Sequence, residues 1–86
     1  MKEFTHVIND PLGMHARPAG QLSKAAAAFK DTNITVIAPT GQADAKRIMA
    51  LMKLAAKQGM ELTIKVEGGD EEKAAAELKA FLEANL

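Results

Sequence analysis

Phe4, His6 and Ile8 share one phase near the start of the chain, with Thr5 and Val7 between them. This period of two predicts a short strand with one face turned inward. Asn9-Asp10-Pro11-Leu12-Gly13 then breaks the run with a cluster of turn-forming residues. From Pro18 to Phe29 the positions Ala19, Leu22, Ala26 and Phe29 recur at helical spacing. Pro18 falls in the first turn, where its missing N–H costs nothing, and the stretch predicts a helix of about three turns.

A polar break at Lys30-Asp31-Thr32-Asn33 precedes Ile34-Thr35-Val36-Ile37, whose β-branched residues favour a second strand. Pro39-Thr40-Gly41 makes a turn, and Gln42 to Ala45 reads as a brief edge strand. Ile48, Leu51, Met52 and Ala55 form a second helical stripe, with Ile48, Leu51 and Ala55 expected to face the sheet while Met49 and Met52 fall partly off it. That helix is expected to run out at Lys57-Gln58-Gly59, with glycine as its left-handed cap. Met60 to Glu67 alternates apolar and polar without exception, so one strand face is buried and the other wet. After Gly68-Gly69, Asp70 is placed to cap a last helix. Glu71 and Glu72 lie in its first turn, and Ala74, Leu78, Phe81 and Leu82 form its inward stripe.

The elements therefore run β-α-β-β-α-β-α. Each helix has one apolar stripe and the strands have polar outer faces, which predicts an α+β fold with all helices on one side of a small antiparallel sheet. With 86 residues the chain suits one domain, residues 1–86.

Composition narrows the function more than the fold. Eleven basic and eleven acidic residues cancel, and aromatics make up 3% of the chain. Neither a sequence-wide positive field nor a set of stacking platforms invites nucleic acid, so no nucleic-acid partner is expected. No apolar run reaches the ~18 residues of a membrane span, and the opening residues lack a signal-peptide pattern. No membrane insertion is expected, and cytoplasm is the expected compartment. With no cysteine and only two histidines, no recognisable metal-ligand spacing exists, and neither a metal nor another cofactor is expected.

The candidate chemistry lies in Gly13-Met14-His15-Ala16-Arg17-Pro18-Ala19. His15 admits a plain reading, as a capping or surface residue ahead of a helix. It also admits a reactive one. If the helix starts near Ala16, the backbone N–H groups of Ala16 and Arg17 are unpaired and form an anion site beside the imidazole. The positive helix end favours a neutral ring able to attack phosphorus, and the planar fork of Arg17 suits phosphate oxygens. His6 fits the plainer description of a partly buried sheet residue. Ser23, the only serine, sits inside the helix with no base near it in sequence, so no hydrolase triad is suggested.

GMHARPA, this order of elements, and Lys46-Arg47-Ile48-Met49-Ala50-Leu51-Met52 opening the second helix together resemble HPr, the histidine phosphocarrier family of the bacterial phosphoenolpyruvate:sugar phosphotransferase system. The resemblance spans essentially the whole chain. It implies an open-faced β-sandwich, a four-stranded antiparallel sheet with three helices on one side. It implies that His15 takes a phosphoryl group from phosphorylated enzyme I and passes it to sugar-specific IIA proteins, carrying it on Nδ1. Arg17 would hold the phosphate, and the protein would be a carrier rather than an enzyme. The family's docking patch lies at the second helix, so Ile48, Met49 and Met52 are expected to meet partners, with Arg47, Gly20 and Lys24 extending that surface. Methionine suits a surface that must fit more than one partner. A monomer is expected, since the carrier face must stay free. Family members with a regulatory serine carry it where this chain has Arg47, so control by phosphorylation there is not expected. The other function class that stays open is a non-covalent anion-binding or regulatory module, including a nitrogen-related phosphorelay paralogue.

Overall fold

A computed structural model describes residues 1–86, with β1 at Lys2–Val7, α1 at Ala16–Ala27, β2 at Asn33–Ala38, β3 at Gly41–Asp44, α2 at Ile48–Lys53, β4 at Glu61–Glu67 and α3 at Glu71–Asn85. The strands form one four-stranded sheet in the order β1-β4-β2-β3. All three pairings are antiparallel. The strand with the strictest alternation, β4, lies inside the sheet, paired from Lys2↔Val66 to Val7↔Glu61 on one side and from Asn33↔Glu67 to Ile37↔Thr63 on the other.

Alternation decides what each face of the sheet meets. Leu62, Ile64 and Val66 of β4 and Ile34 and Val36 of β2 are at most 2% exposed. They pack in one cluster with Ala19, Leu22 and Ala26 of α1, Leu51 of α2, and Ala74, Leu78 and Leu82 of α3. All three helices therefore lie on the same side, as the pattern predicts. Burying each of the larger side chains is worth about 1.5–3 kcal/mol, so this single layer of contact supplies most of the fold's driving force. The opposite face is open. Glu3 stands across from Lys65, which stands across from Thr35 and then Asp44, a polar row, with Val7 an exposed apolar residue on the same face.

The second helix departs from its predicted course. It stops at Lys53, and Ala55 takes a left-handed conformation (φ 50°) rather than continuing toward Gly59. Beyond the helix, Leu54 and Ala56 are buried and Ala55 is exposed, so the period changes from helical to alternating. Tertiary contacts explain the switch. The Leu54 carbonyl accepts a hydrogen bond from Thr40 Oγ1, and the Ala56 carbonyl accepts one from the Met14 N–H at 2.9 Å. A continued helix would withdraw both carbonyls. Ala55 therefore does not face the sheet, nor does Ile48, which is 39% exposed. Gly59 does not cap this helix. It turns the chain into β4, donating its N–H to the Ile8 carbonyl at 2.8 Å.

Smaller shifts occur elsewhere. The edge strand is Gly41–Asp44, one residue earlier than expected. The first helix spans twelve residues from Ala16, and Phe29 packs against the core from beyond its end. Asp70 makes no side-chain cap on α3. Glu71 reaches back instead, its Oε2 accepting from the Gly68 N–H at 2.7 Å.

Candidate functional site

The loop from Asn9 to His15 is held at several points, and that restraint aims the histidine. Asp10 builds the turn: its Oδ1 accepts from the Leu12 N–H at 2.8 Å and its carbonyl from the Gly13 N–H at 2.9 Å. Its own N–H donates to the Leu86 carbonyl at 3.1 Å, which ties the loop to the end of α3. Gly13 has φ 66° and lies against the backbone of Ala56 and Lys57 so closely that a Cβ would collide with the Ala56 carbonyl. Only glycine combines that conformation with that approach. Next in sequence, Met14 is 4% exposed in the core.

His15 occupies the N-cap of α1 in extended conformation (φ −95°, ψ −177°). Its carbonyl accepts the first helical hydrogen bond, from the Ala19 N–H at 3.0 Å, but its side chain caps nothing. This removes the capping reading of the imidazole. The side chain is 34% exposed, and its Nε2 lies 3.5 Å from Asp10 Oδ2. Ala16 and Arg17 offer backbone N–H groups that no carbonyl takes up, and Pro18 has none to offer. A cleft of about 210 Å³ joins His15, Arg17, Pro18 and Gln21 to Asp10 and to Ala84 and Asn85 at the end of α3.

The structure thus brings His15, Arg17 and the first amides of α1 together. This arrangement can hold a small oxyanion against a ring nitrogen, with the helix dipole, two N–H donors and a guanidinium on the same side. Asp10 is the member of the site that sequence reasoning missed. Its signal was present in Asp10-Pro11-Leu12-Gly13, where an Asp two residues before a backbone donor forms such a turn, but the residue facing its second oxygen is a tertiary matter. No group of three or more His, Asp or Glu side chains is placed to hold a metal ion.

Of the expected docking residues, Ile48, Met49 and Met52 are the exposed apolar ones of α2. Met49 is 66% exposed, Ile48 39% and Met52 38%, so Ile48 belongs with the methionines and not with the core. Arg47 is the exposed N-cap of α2 and makes no capping bond. Gly20 is half-buried where α1 meets α2, and a Cβ there would stand 3.2 Å from Ile48 Cδ1. Lys24 is exposed in the last turn of α1. Leu12, 74% exposed in the loop before His15, is a further large apolar group the periodicity did not single out. From Gly13 to Lys57 there are seven basic residues against two acidic ones, while the rest of the chain has four against nine. The balanced total conceals a strongly polarised chain.

Comparison with known proteins agrees with this geometry. Residues 2–84 match the family described as "PTS HPr component phosphorylation site". The chain is 45% identical to the phosphocarrier protein HPr of Mycoplasma genitalium, covering 99% of this chain and 97% of that one. Its structure is similar to that of a mycoplasma histidine-containing phosphocarrier protein, with a TM-score of 0.92 and 40% identity over 96% of this chain and 93% of the other. It is also similar to a structure described as an HPr dimer from Thermoanaerobacter tengcongensis, with a TM-score of 0.75 and 37% identity over 98% and 95% of the two chains.

Proposed function

Since the chain belongs to the HPr family of phosphocarrier proteins, we propose that His15 accepts a phosphoryl group from phosphorylated enzyme I and passes it to IIA proteins in sugar uptake. The observation that carries this reading is the His15 imidazole, uncommitted to capping at the N-terminus of α1, with the unpaired N–H groups of Ala16 and Arg17 beside it. In the forward step a lone pair on the ring attacks phosphorus, and the bond from phosphorus to its donor breaks as the new P–N bond forms. The two amides and the Arg17 guanidinium take the phosphoryl oxygens, which lowers the charge repulsion an incoming nucleophile meets. The second transfer is the same displacement in reverse, with a nucleophile on the IIA protein attacking.

A carrier has to be reached by two unlike partners in turn. One-third exposure of His15 and the adjustable side chains of Ile48, Met49 and Met52 suit brief docking, with Gly20, Lys24 and Arg47 at the margins of the surface. Arg47 has no hydroxyl, so the reading includes no control by phosphorylation at that position. The carrier works as a monomer in the cytoplasm, because self-association through α2 would cover the face its partners use.

Transfer assays with labelled phosphoenolpyruvate and catalytic enzyme I separate the carrier from a module that merely binds anions. His15→Ala is expected to abolish label uptake, and Arg17→Ala to slow transfer by roughly 10²-fold, the usual loss for one preorganised donor. Label uptake by the His15→Ala protein, or unaltered transfer by Arg17→Ala, would contradict these assignments.

A further inference from the structure

Asp10 has a defined job beside His15 that the family resemblance does not supply. Its two carboxylate oxygens are divided between two tasks. Oδ1 is held by the Leu12 N–H at 2.8 Å, and Oδ2 faces His15 Nε2 at 3.5 Å. The Leu12 N–H holds the carboxylate in place, and the Asp10 carbonyl and N–H, engaged by Gly13 and by Leu86, hold the backbone it hangs from. With its side chain 25% exposed, it acts on the ring through a partly desolvated gap.

We propose that Asp10 is a positioning residue that selects the reactive nitrogen of His15. This inference rests on the carrier reading above. A neutral imidazole keeps its proton on one nitrogen and its lone pair on the other, and a fixed acceptor facing one nitrogen decides which. A carboxylate facing Nε2 accepts from an N–H there, which keeps the proton on Nε2 and leaves the lone pair on Nδ1. When Nδ1 takes the phosphoryl group, the Nε2–H stays in place and the ring becomes cationic; Asp10 is then the counter-charge opposite the N–H that carries it. No proton has to move for the transfer. The same negative charge repels a phosphoryl dianion, which further disfavours bonding at Nε2, the nitrogen it faces. Among the other polar groups lining the cleft, Arg17 is an obligate donor and the Gln21 and Asn85 amides carry no charge, so Asp10 is the one carboxylate there.

The distinguishing substitution is Asp10→Asn. The amide oxygen can keep the bond from the Leu12 N–H, so the loop survives, while the –NH₂ now faces Nε2 and favours the opposite tautomer. Long-range ¹H–¹⁵N correlation spectra of the unphosphorylated protein at about pH 8.5, where an ordinary imidazole is neutral, read the tautomer of His15 directly. The parent is expected to show predominantly the Nε2–H form and Asp10→Asn a shift toward Nδ1–H at unchanged melting temperature. Phosphorylation by enzyme I is expected to fall roughly tenfold, the lower end of what losing a carboxylate behind a working imidazole costs. A parent already in the Nδ1–H form, or identical tautomer populations and rates in both proteins, would overturn the assignment. A tautomer shift in a chain that takes no phosphoryl group from enzyme I would uphold the pairing of Asp10 with His15 and overturn the carrier reading.

Discussion

Single residues in this chain act through where the backbone holds them. His15 is the clearest case: as N-cap it contributes its carbonyl to α1, and because its side chain takes no part in capping, the imidazole is left for chemistry. Glu71 is the opposite case, a charged residue with a structural task. Its carboxyl is held below the usual glutamate range, first by the hydrogen bond from the Gly68 N–H and then by the Met1 ammonium, whose nitrogen lies 2.9 Å from Oε1. A depressed folded-state pKa means that the stabilisation is present above the ordinary glutamate value and is lost as pH falls through the lower, folded one. Chemical denaturation of the parent and Glu71→Gln proteins across pH checks this. The variant is expected to be less stable at pH 7, with the gap closing on acidification below the ordinary glutamate range. A gap that stays constant with pH would show that the charge of Glu71 does not matter.

At the scale of elements, what was legible in the sequence was set by local periodicity, and what was not was set by contacts between distant segments. β4 could be read residue by residue, because four apolar positions alternate from Met60 to Val66 and no neighbour overrides them. The inward stripe of α3 was equally plain. α2 was misread in length because Ile48, Leu51, Met52 and Ala55 suit a helix, while the bonds that end it come from Thr40 and Met14, far away in sequence. The site followed the same division. His15, Arg17 and the amides of α1 could be read from one heptapeptide, whereas Asp10 needed the folded turn to bring its carboxylate round to Nε2. Ala55 makes the cost of the early helix end measurable. An alanine at φ 50° bears a steric penalty that glycine lacks. Ala55→Gly is therefore expected to stabilise the fold by roughly 0.5–1 kcal/mol after the extra chain entropy of glycine is subtracted. In a domain of this size that is a rise of about 2–8 °C in melting temperature, readable by calorimetry. A fall would mean that the left-handed residue is not under strain.

Over the whole molecule, a single-layer core leaves one sheet face open and polar and gathers α1, α2 and the histidine loop at the other side. Four of the acidic residues lie on α3, whereas the excess of Lys and Arg is carried by the segment from Gly13 to Lys57, which holds His15, Arg17 and the α2 patch. Partners with acidic docking faces would be steered to it, so the KM for enzyme I is expected to rise several-fold between low and physiological salt, and Arg47→Glu to raise it further without altering the melting temperature. A KM indifferent to both would place Arg47 outside the docking surface. The central claim, that His15 carries a phosphoryl group, is tested most directly by intact-mass measurement after incubation with phosphoenolpyruvate, magnesium and catalytic enzyme I, before and after brief acid treatment. The predicted result is a gain of one phosphoryl group that acid removes and that His15→Ala never acquires. No gain with an enzyme I of proven activity, or a gain that survives both acid and the loss of His15, would contradict it.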